Sequence, residues 1–145
     1  MVKRVLLDTG PLTAYIEGRQ GALENFGVWF AREEAATSGL VYAEIHEHFL
    51  GQPNYRANRQ ALRRLLRDAP PIRLSYKILE RYGLLRRQLR RPYGTGTIGD
   101  IDTLIAATAL EHDLTVVTTD GDFMRVPGLK VLLMLPGTLK SPRST

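Results

Sequence analysis

Three short stretches of this chain, RVLLD at 4–8, LTVVTT at 114–119 and LKVLLML at 129–135, are rich in apolar and β-branched residues without a strict in–out alternation. A strand with one wet face alternates with period two. A strand covered on both faces does not, and such strands belong to parallel sheets flanked by helices. The segments between them read as helices, at 11–16, 21–34, 40–50, 54–68, 76–90 and 101–112. AATS at 35–38 and the run at 72–74 read as two further short strands. The expectation is an α/β fold with three layers, α/β/α, around a central, mostly parallel sheet of about five strands. At 145 residues the chain suits one domain, expected over 1–135, followed by a flexible tail at 136–145. No apolar run is long enough to span a bilayer, and the charged start lacks the apolar core of a secretion signal. The absence of cysteine excludes disulfides and thiolate metal sites and fits a cytoplasmic protein, so any metal must be held by oxygen or imidazole.

The net charge of +5 hides an asymmetry. Residues 52–91 hold 12 of the 20 Lys and Arg and only two acids, Asp68 and Glu80, a balance of +10. The rest of the chain holds 8 basic and 13 acidic side chains, a balance of −5. In the fourth helix Arg56, Arg59, Arg63 and Arg67 fall in one stripe about 80° wide, opposite Ala61, Leu62, Leu65 and Leu66. A cationic ridge beside a site that gathers carboxylates suits a polyanion. The plainer reading of the ridge is a solvated helix face, or a partner for acidic groups elsewhere.

The opening VLLDTGPL contains Asp8-Thr9-Gly10, the tripeptide that an aspartic protease carries at its catalytic carboxylate. Such proteases are nearly all β and need two aspartates sharing a proton. Helices dominate here, and the tripeptide occurs once. A carboxylate at the end of a buried strand has a different use, because ligands of open α/β sheets bind outside the carboxyl ends of the strands. Asp8 ends the first strand and Asp120 ends LTVVTT. Asp102 lies in the first turn of the sixth helix, which starts at the same edge. Glu44 projects between Leu40 and Val41, near His48, from a largely apolar helix, where an isolated carboxylate would be costly.

Taken singly, each acid has a structural explanation. Asp8 and Asp120 would cap the structure after them, and Asp102 would favour a helix dipole. Asp100, after Gly99, would be the helix N-cap. Glu44 would pair with an arginine, and Asp122 would belong to the turn. Taken together these explanations weaken. Carboxylates about 4 Å apart repel by about 4 kcal/mol per pair at an effective dielectric near 20. A hard divalent cation, Mg²⁺ or Mn²⁺, reverses that sign. Such an ion on carboxylates and waters serves phosphodiester hydrolysis without a nucleophilic serine or cysteine.

Other motifs lead elsewhere. The loop at 94–99 spells G-x-G-x-x-G, but a basic helix end precedes it where a dinucleotide fingerprint needs a strand. Asp100 and Asp102 would also repel a pyrophosphate there. No dinucleotide cofactor is expected, and the loop reads as a flexible neighbour of the site. His46 and His48 stand two apart on a helix, diverge, and do not form a zinc pair. Trp29 and Phe30 read as core or interface residues.

The order VLLDTGPL, TSGLVYAEI, DIDTLIAATAL, VVTTDGDF resembles the PIN domain family of ribonucleases, and within it the VapC toxins of toxin–antitoxin pairs. The likeness runs from about Val5 to Leu133 and is most specific at Asp102-Thr103-Leu104-Ile105-Ala106-Ala107-Thr108-Ala109. It implies Asp8, Glu44 and Asp102 as the main acids around Mg²⁺ or Mn²⁺, and Asp120 as a more variable fourth. Asp100 and Asp122 are lesser candidates, with Asp122 competing for the fourth place. Thr9 and Ser38 match polar positions lining the family's site, whereas Gly10 stands where serine is common. The resemblance further implies an RNA substrate, a homodimer and a small antitoxin that blocks the acidic site. The alternatives are a PIN nuclease of RNA processing outside a toxin–antitoxin pair and another metal-dependent phosphoester hydrolase such as a DNA nuclease.

Overall fold

The computed structural model describes residues 2–139 and has the expected α/β layering. Its elements are β1 (Val5–Leu7), α1 (Thr9–Ile16), α2 (Gln20–Ala31), β2 (Ala35–Ala36), α3 (Gly39–Leu50), α4 (Tyr55–Asp68), α5 (Tyr76–Leu89), α6 (Asp100–Glu111), β3 (Thr115–Thr118) and β4 (Val131–Leu133). Two 3₁₀ turns, Gly121–Arg125 and Pro136–Leu139, flank β4. The sheet runs β2-β1-β3-β4, and every pairing is parallel. β1 is central and wholly buried, which is why VLL can be apolar at each position.

The register sets the site. Leu7 pairs with Val117, so the next residues along, Asp8 just past the end of β1 and Thr118 at the end of β3, lie side by side. The Asp8 amide donates to the Val117 carbonyl at 2.9 Å, carrying the ladder one step past the strand. α1 then starts at Thr9, two residues before the expected start at 11, with Asp8 as its N-cap residue. Pro11 is tolerated because the first-turn amides have no intrahelical acceptor.

The fifth strand expected at 72–74 is reduced to a single bridge, Ile72 with Ser38. The Ile72 amide reaches the Thr37 carbonyl at 2.9 Å. Pro70 and Pro71 before it have no amide hydrogen to extend a ladder, and Ser75 already caps α5 through the Ile78 amide. The sheet therefore has four strands.

The first residues of the tail expected at 136–145 lie against the domain. Pro136–Leu139 forms a turn whose Leu139 is buried in the core. It lies so close to α2 that a β-carbon on Gly21 would overlap the Thr138 carbonyl. Residues 140–145 of that expected tail lie outside the described residues.

Phe26, Phe49, Phe123, Leu6, Leu7, Ile45 and Ile105 are fully buried. Every residue of α6 from Ile105 to Ala109 is buried, small side chains allowing close packing on both sides. Trp29 stacks on Phe26 at 5.7 Å and Phe30 on Tyr15 at 4.3 Å, as core aromatics do. No helix among the described residues is long and apolar enough to cross a membrane.

Candidate active site

Four elements bring one carboxylate each to the carboxyl edge of the sheet: the end of β1 (Asp8), α3 (Glu44), the first turn of α6 (Asp102) and the residues after β3 (Asp120). Asp8 is only 8% exposed. Thr118, fully buried, donates its hydroxyl to Asp8 Oδ2 at 2.8 Å. The same hydroxyl oxygen accepts the Asp120 amide at 2.9 Å. One hydroxyl thus ties together two acids that lie at opposite ends of the chain. Across the crevice the Thr9 hydroxyl donates to Glu44 Oε1 at 2.6 Å. Glu44 is therefore held by Thr9; no arginine pairs with it among the described residues.

The electrostatics show how closely these groups are gathered. Burial raises the Asp8 carboxyl above its ordinary range, against the lowering effect of the hydrogen bonds from Thr118 and the Thr9 backbone. The charges of Glu44 and Asp120 push it up further. Asp102 is lifted to about 6, first by burial and then by the charges of Asp8, Asp120, Glu44 and Asp122. Both shifts have the sign of an anionic site short of cations. Among the described residues no three or more His, Asp or Glu side chains are placed close enough together to hold a metal ion. The carboxylates feel one another without converging on one point.

The remaining candidates separate. Asp122 forms an ion pair with Arg125 at 3.0 Å, and its charge is the last and smallest of those named as acting on Asp102. Asp120 caps the 3₁₀ turn, its Oδ1 accepting the Asp122 amide at 2.9 Å. Asp100 is not the cap of α6: Gly99 holds that position, with no side-chain cap bond. Asp100 is drawn instead to α5, where Tyr82 donates to it at 3.0 Å and Arg86 pairs with it at 3.3 Å. Ser38 is buried and caps α3, its Oγ accepting the Leu40 amide at 3.2 Å. Gly10 approaches Thr119, whose hydroxyl would lie 3.3 Å from a β-carbon placed there.

A cleft of about 650 Å³ opens beside Glu44, walled by Thr9, Thr13, Glu47, His48 and Ile101 among others. His46 lies away from it, stacked on Tyr42 and edge-on to Tyr55. On α4, Arg56, Arg63 and Arg67 are exposed as the stripe predicts. Arg59 departs from it, half-buried with its guanidinium 6.0 Å from the Tyr55 ring centre. The loop at 94–99 is anchored at both ends. Gly94 packs against the end of α5 so closely that a β-carbon would overlap the Gln88 carbonyl, and Ile98 is buried.

Thr118 is the site residue that sequence reasoning overlooks. Its only signal is position, a threonine next to last in the run LTVVTT and followed two residues later by an acid.

Residues 5–129 match the PIN domain family. Among solved structures, VapBC2 of Rickettsia felis bound to a promoter DNA fragment is similar, with 25% identity and a TM-score of 0.76 over 92% of this chain and 99% of that one. A toxin–antitoxin complex from Klebsiella pneumoniae gives 27% identity and a TM-score of 0.66 over 88% and 95%. The fold also matches DNA-bound VapBC from Salmonella typhimurium, at 21% identity and a TM-score of 0.77 over 91% and 98%. No curated protein gives a significant sequence match. The match over most of the chain, and the fold shared with toxin–antitoxin complexes along nearly their whole length, establish the family: this chain is a PIN domain protein resembling the VapC toxins.

Proposed function

We propose that the chain is a divalent-metal-dependent endoribonuclease and the toxin of a toxin–antitoxin pair. One observation carries the reading: Asp8, Glu44, Asp102 and Asp120, from four separate elements, meet at one edge of the sheet, where burial first and then the charges of the other acids lift Asp102 to about 6. A fold does not keep such repulsion at the edge where α/β sheets bind ligands unless a cation offsets it.

The donor set fits Mg²⁺ or Mn²⁺, since it is all oxygen and lacks thiolate. An open arrangement also suits Mg²⁺, which keeps several of its waters and takes one or two carboxylates. Asp8 and Asp102 would be its main holders, with Glu44 and Asp120 beside them. Such an ion, when bound, acidifies a water and stabilises the charge that develops on a phosphodiester. Thr118 fixes the orientation of Asp8, and Thr9 engages one oxygen of Glu44, leaving the other free. Asp120 fills the fourth place better than Asp122, whose carboxylate is engaged by Arg125.

The RNA strand would reach this edge past the exposed arginines of α4, Arg56, Arg63 and Arg67, with Arg59 stiffening the ridge against Tyr55. Phosphate contacts of this kind supply affinity and salt dependence with little choice of sequence. Likeness to the toxin–antitoxin complexes supports an antitoxin partner; in this reading it is a small protein that covers the acidic edge, and the chain pairs with a second copy.

The test is cleavage of structured RNA, and of DNA of the same sequence, by purified protein with Mg²⁺, with Mn²⁺ or with EDTA. RNA fragments are expected only with metal, and none from Asp8→Asn or Asp102→Asn. Full activity in EDTA or in both variants would overturn the mechanism, and preferential cleavage of DNA would overturn the substrate.

A further inference from the structure

Two arginines outside the α4 ridge converge on the glycine loop. A β-carbon placed on Gly96 would lie 3.5 Å from Arg125 Nη1 and 3.7 Å from Arg91 Nε. Gly96 has φ +121, a region open to glycine and strained for other residues, so the position carries no β-carbon and the two arginine side chains come close over its backbone. Its amide donates to the Leu89 carbonyl at 2.7 Å, which fixes the loop's backbone at this point. Arg125 spends Nη2 on Asp122 at 3.0 Å, while Nη1, its other terminal nitrogen, approaches Gly96. Arg91 is exposed and has no carboxylate partner among the described residues.

Like charges brought to one point, with only one of them countered, favour an anion between them. The place of this notch indicates which anion. Arg125 sits in the 3₁₀ turn capped by Asp120, and its partner Asp122 acts on Asp102. The loop itself runs through Gly99 into α6, which carries Asp102. We propose that Arg91 and Arg125, converging over Gly96, seat a backbone phosphate of the RNA strand adjacent to the bond cut at the acidic site. The carboxylates hold the reacting phosphate through a cation. The notch takes a neighbouring phosphate directly and so sets the direction in which the strand leaves. This rests on the nuclease reading of the site.

The test uses Arg91→Gln, Arg125→Gln and the double variant of the full chain, with melting curves to confirm the fold. Binding of a single-stranded RNA oligomer in EDTA is measured against salt, and cleavage is measured with Mn²⁺ on that oligomer and on a dinucleotide too short to reach the notch. The double variant should bind RNA about tenfold more weakly, with the slope of log affinity on log salt shallower by about 0.7, one phosphate contact. KM on the oligomer should rise in step with kcat little changed, and dinucleotide cleavage should be unaffected. Unchanged binding and salt slope in a folded double variant would overturn the notch. An equal loss on the dinucleotide would also overturn it, by placing the arginines at the reacting centre or in the fold. If the parent protein binds RNA yet never cleaves it, the nuclease reading fails, while the binding measurements still decide the notch.

Discussion

The acidic crevice and the arginine ridge of α4 are both concentrations of like charge, built in opposite ways. The ridge arises from helical periodicity within 12 residues, from Arg56 to Arg67, and its guanidiniums mostly stand in solvent, where repulsion is weak. The crevice draws on residues 8 to 120, holds Asp8 at 8% exposure and keeps Asp102 near a pKa of 6. Charge in the ridge costs little and is adjustable residue by residue. Charge in the crevice is held against its preference by tertiary structure, and that difference separates a surface for attraction from a site for chemistry.

The contrast can be broken experimentally, most severely at the acids. Asp8→Asn or Asp102→Asn should lower cleavage by about 10²–10³-fold or more, the scale of a lost transition-state group. Metal-free Asp102→Asn should melt no lower than the parent, because a disfavoured charge has been removed. A comparable loss of activity from one α4 arginine would erase the distinction.

Next in size is Thr118→Val. It keeps the shape but removes the hydroxyl that serves Asp8 and the Asp120 amide. Metal affinity or activity should fall about 10–100-fold, the usual range for groups that orient metal ligands. Thr118→Ser should restore most of it, and a titration of Mn²⁺ against activity separates affinity from turnover.

The raised carboxyls make stability depend on pH. Asp102 has a folded pKa of about 6 against an ordinary 3.8, so the folded chain binds more protons than the unfolded one in between. Stability of the metal-free protein should therefore decline as pH rises from about 4 through 6, with Asp8 adding the same sign. Mn²⁺ needs the ionised form, so its stabilising effect should be small at pH 5 and full above pH 7. Melting temperatures with Mn²⁺ and with EDTA across that range check both halves, and Asp102→Asn should flatten the curve.

The smallest effects belong to the ridge. Arg56→Gln, Arg63→Gln or Arg67→Gln should leave the melting temperature unchanged and make the salt slope of RNA binding shallower by about 0.7 each. Arg59→Gln should differ by costing about 0.5–1 kcal/mol of stability, through its contact with Tyr55.

The reach of sequence reasoning divides along the same line. The α/β class was legible because burial on both faces removes alternation from VLL and TVVT. The stripe on α4 was legible because it is local. Asp8, Asp102 and Asp120 could be assigned to one edge because strand ends and helix starts meet there in any parallel sheet. The features that stayed hidden depend on partners distant in the chain. Asp100 loses the cap of α6 to Gly99, while Tyr82 and Arg86 of α5 hold its carboxylate. The strand at 72–74 shrinks to a bridge, because two prolines remove the donors before it. Leu139 joins the core because Gly21 on α2 admits the turn that carries it. Thr118 is invisible until the pairing of Leu7 with Val117 is known.

That pairing has a consequence for how the molecule matures. Side chains alternate faces along a strand, so a slip of β1 by one residue against β3 would turn Asp8 away from the crevice and set Leu7 beside Thr118. A misaligned chain would therefore lose Asp8 from the crevice outright, rather than hold it weakly. Competence for cleavage would arrive in a single step, when the centre of the sheet locks. On the proposed nuclease reading, activity would count correctly threaded sheets one by one.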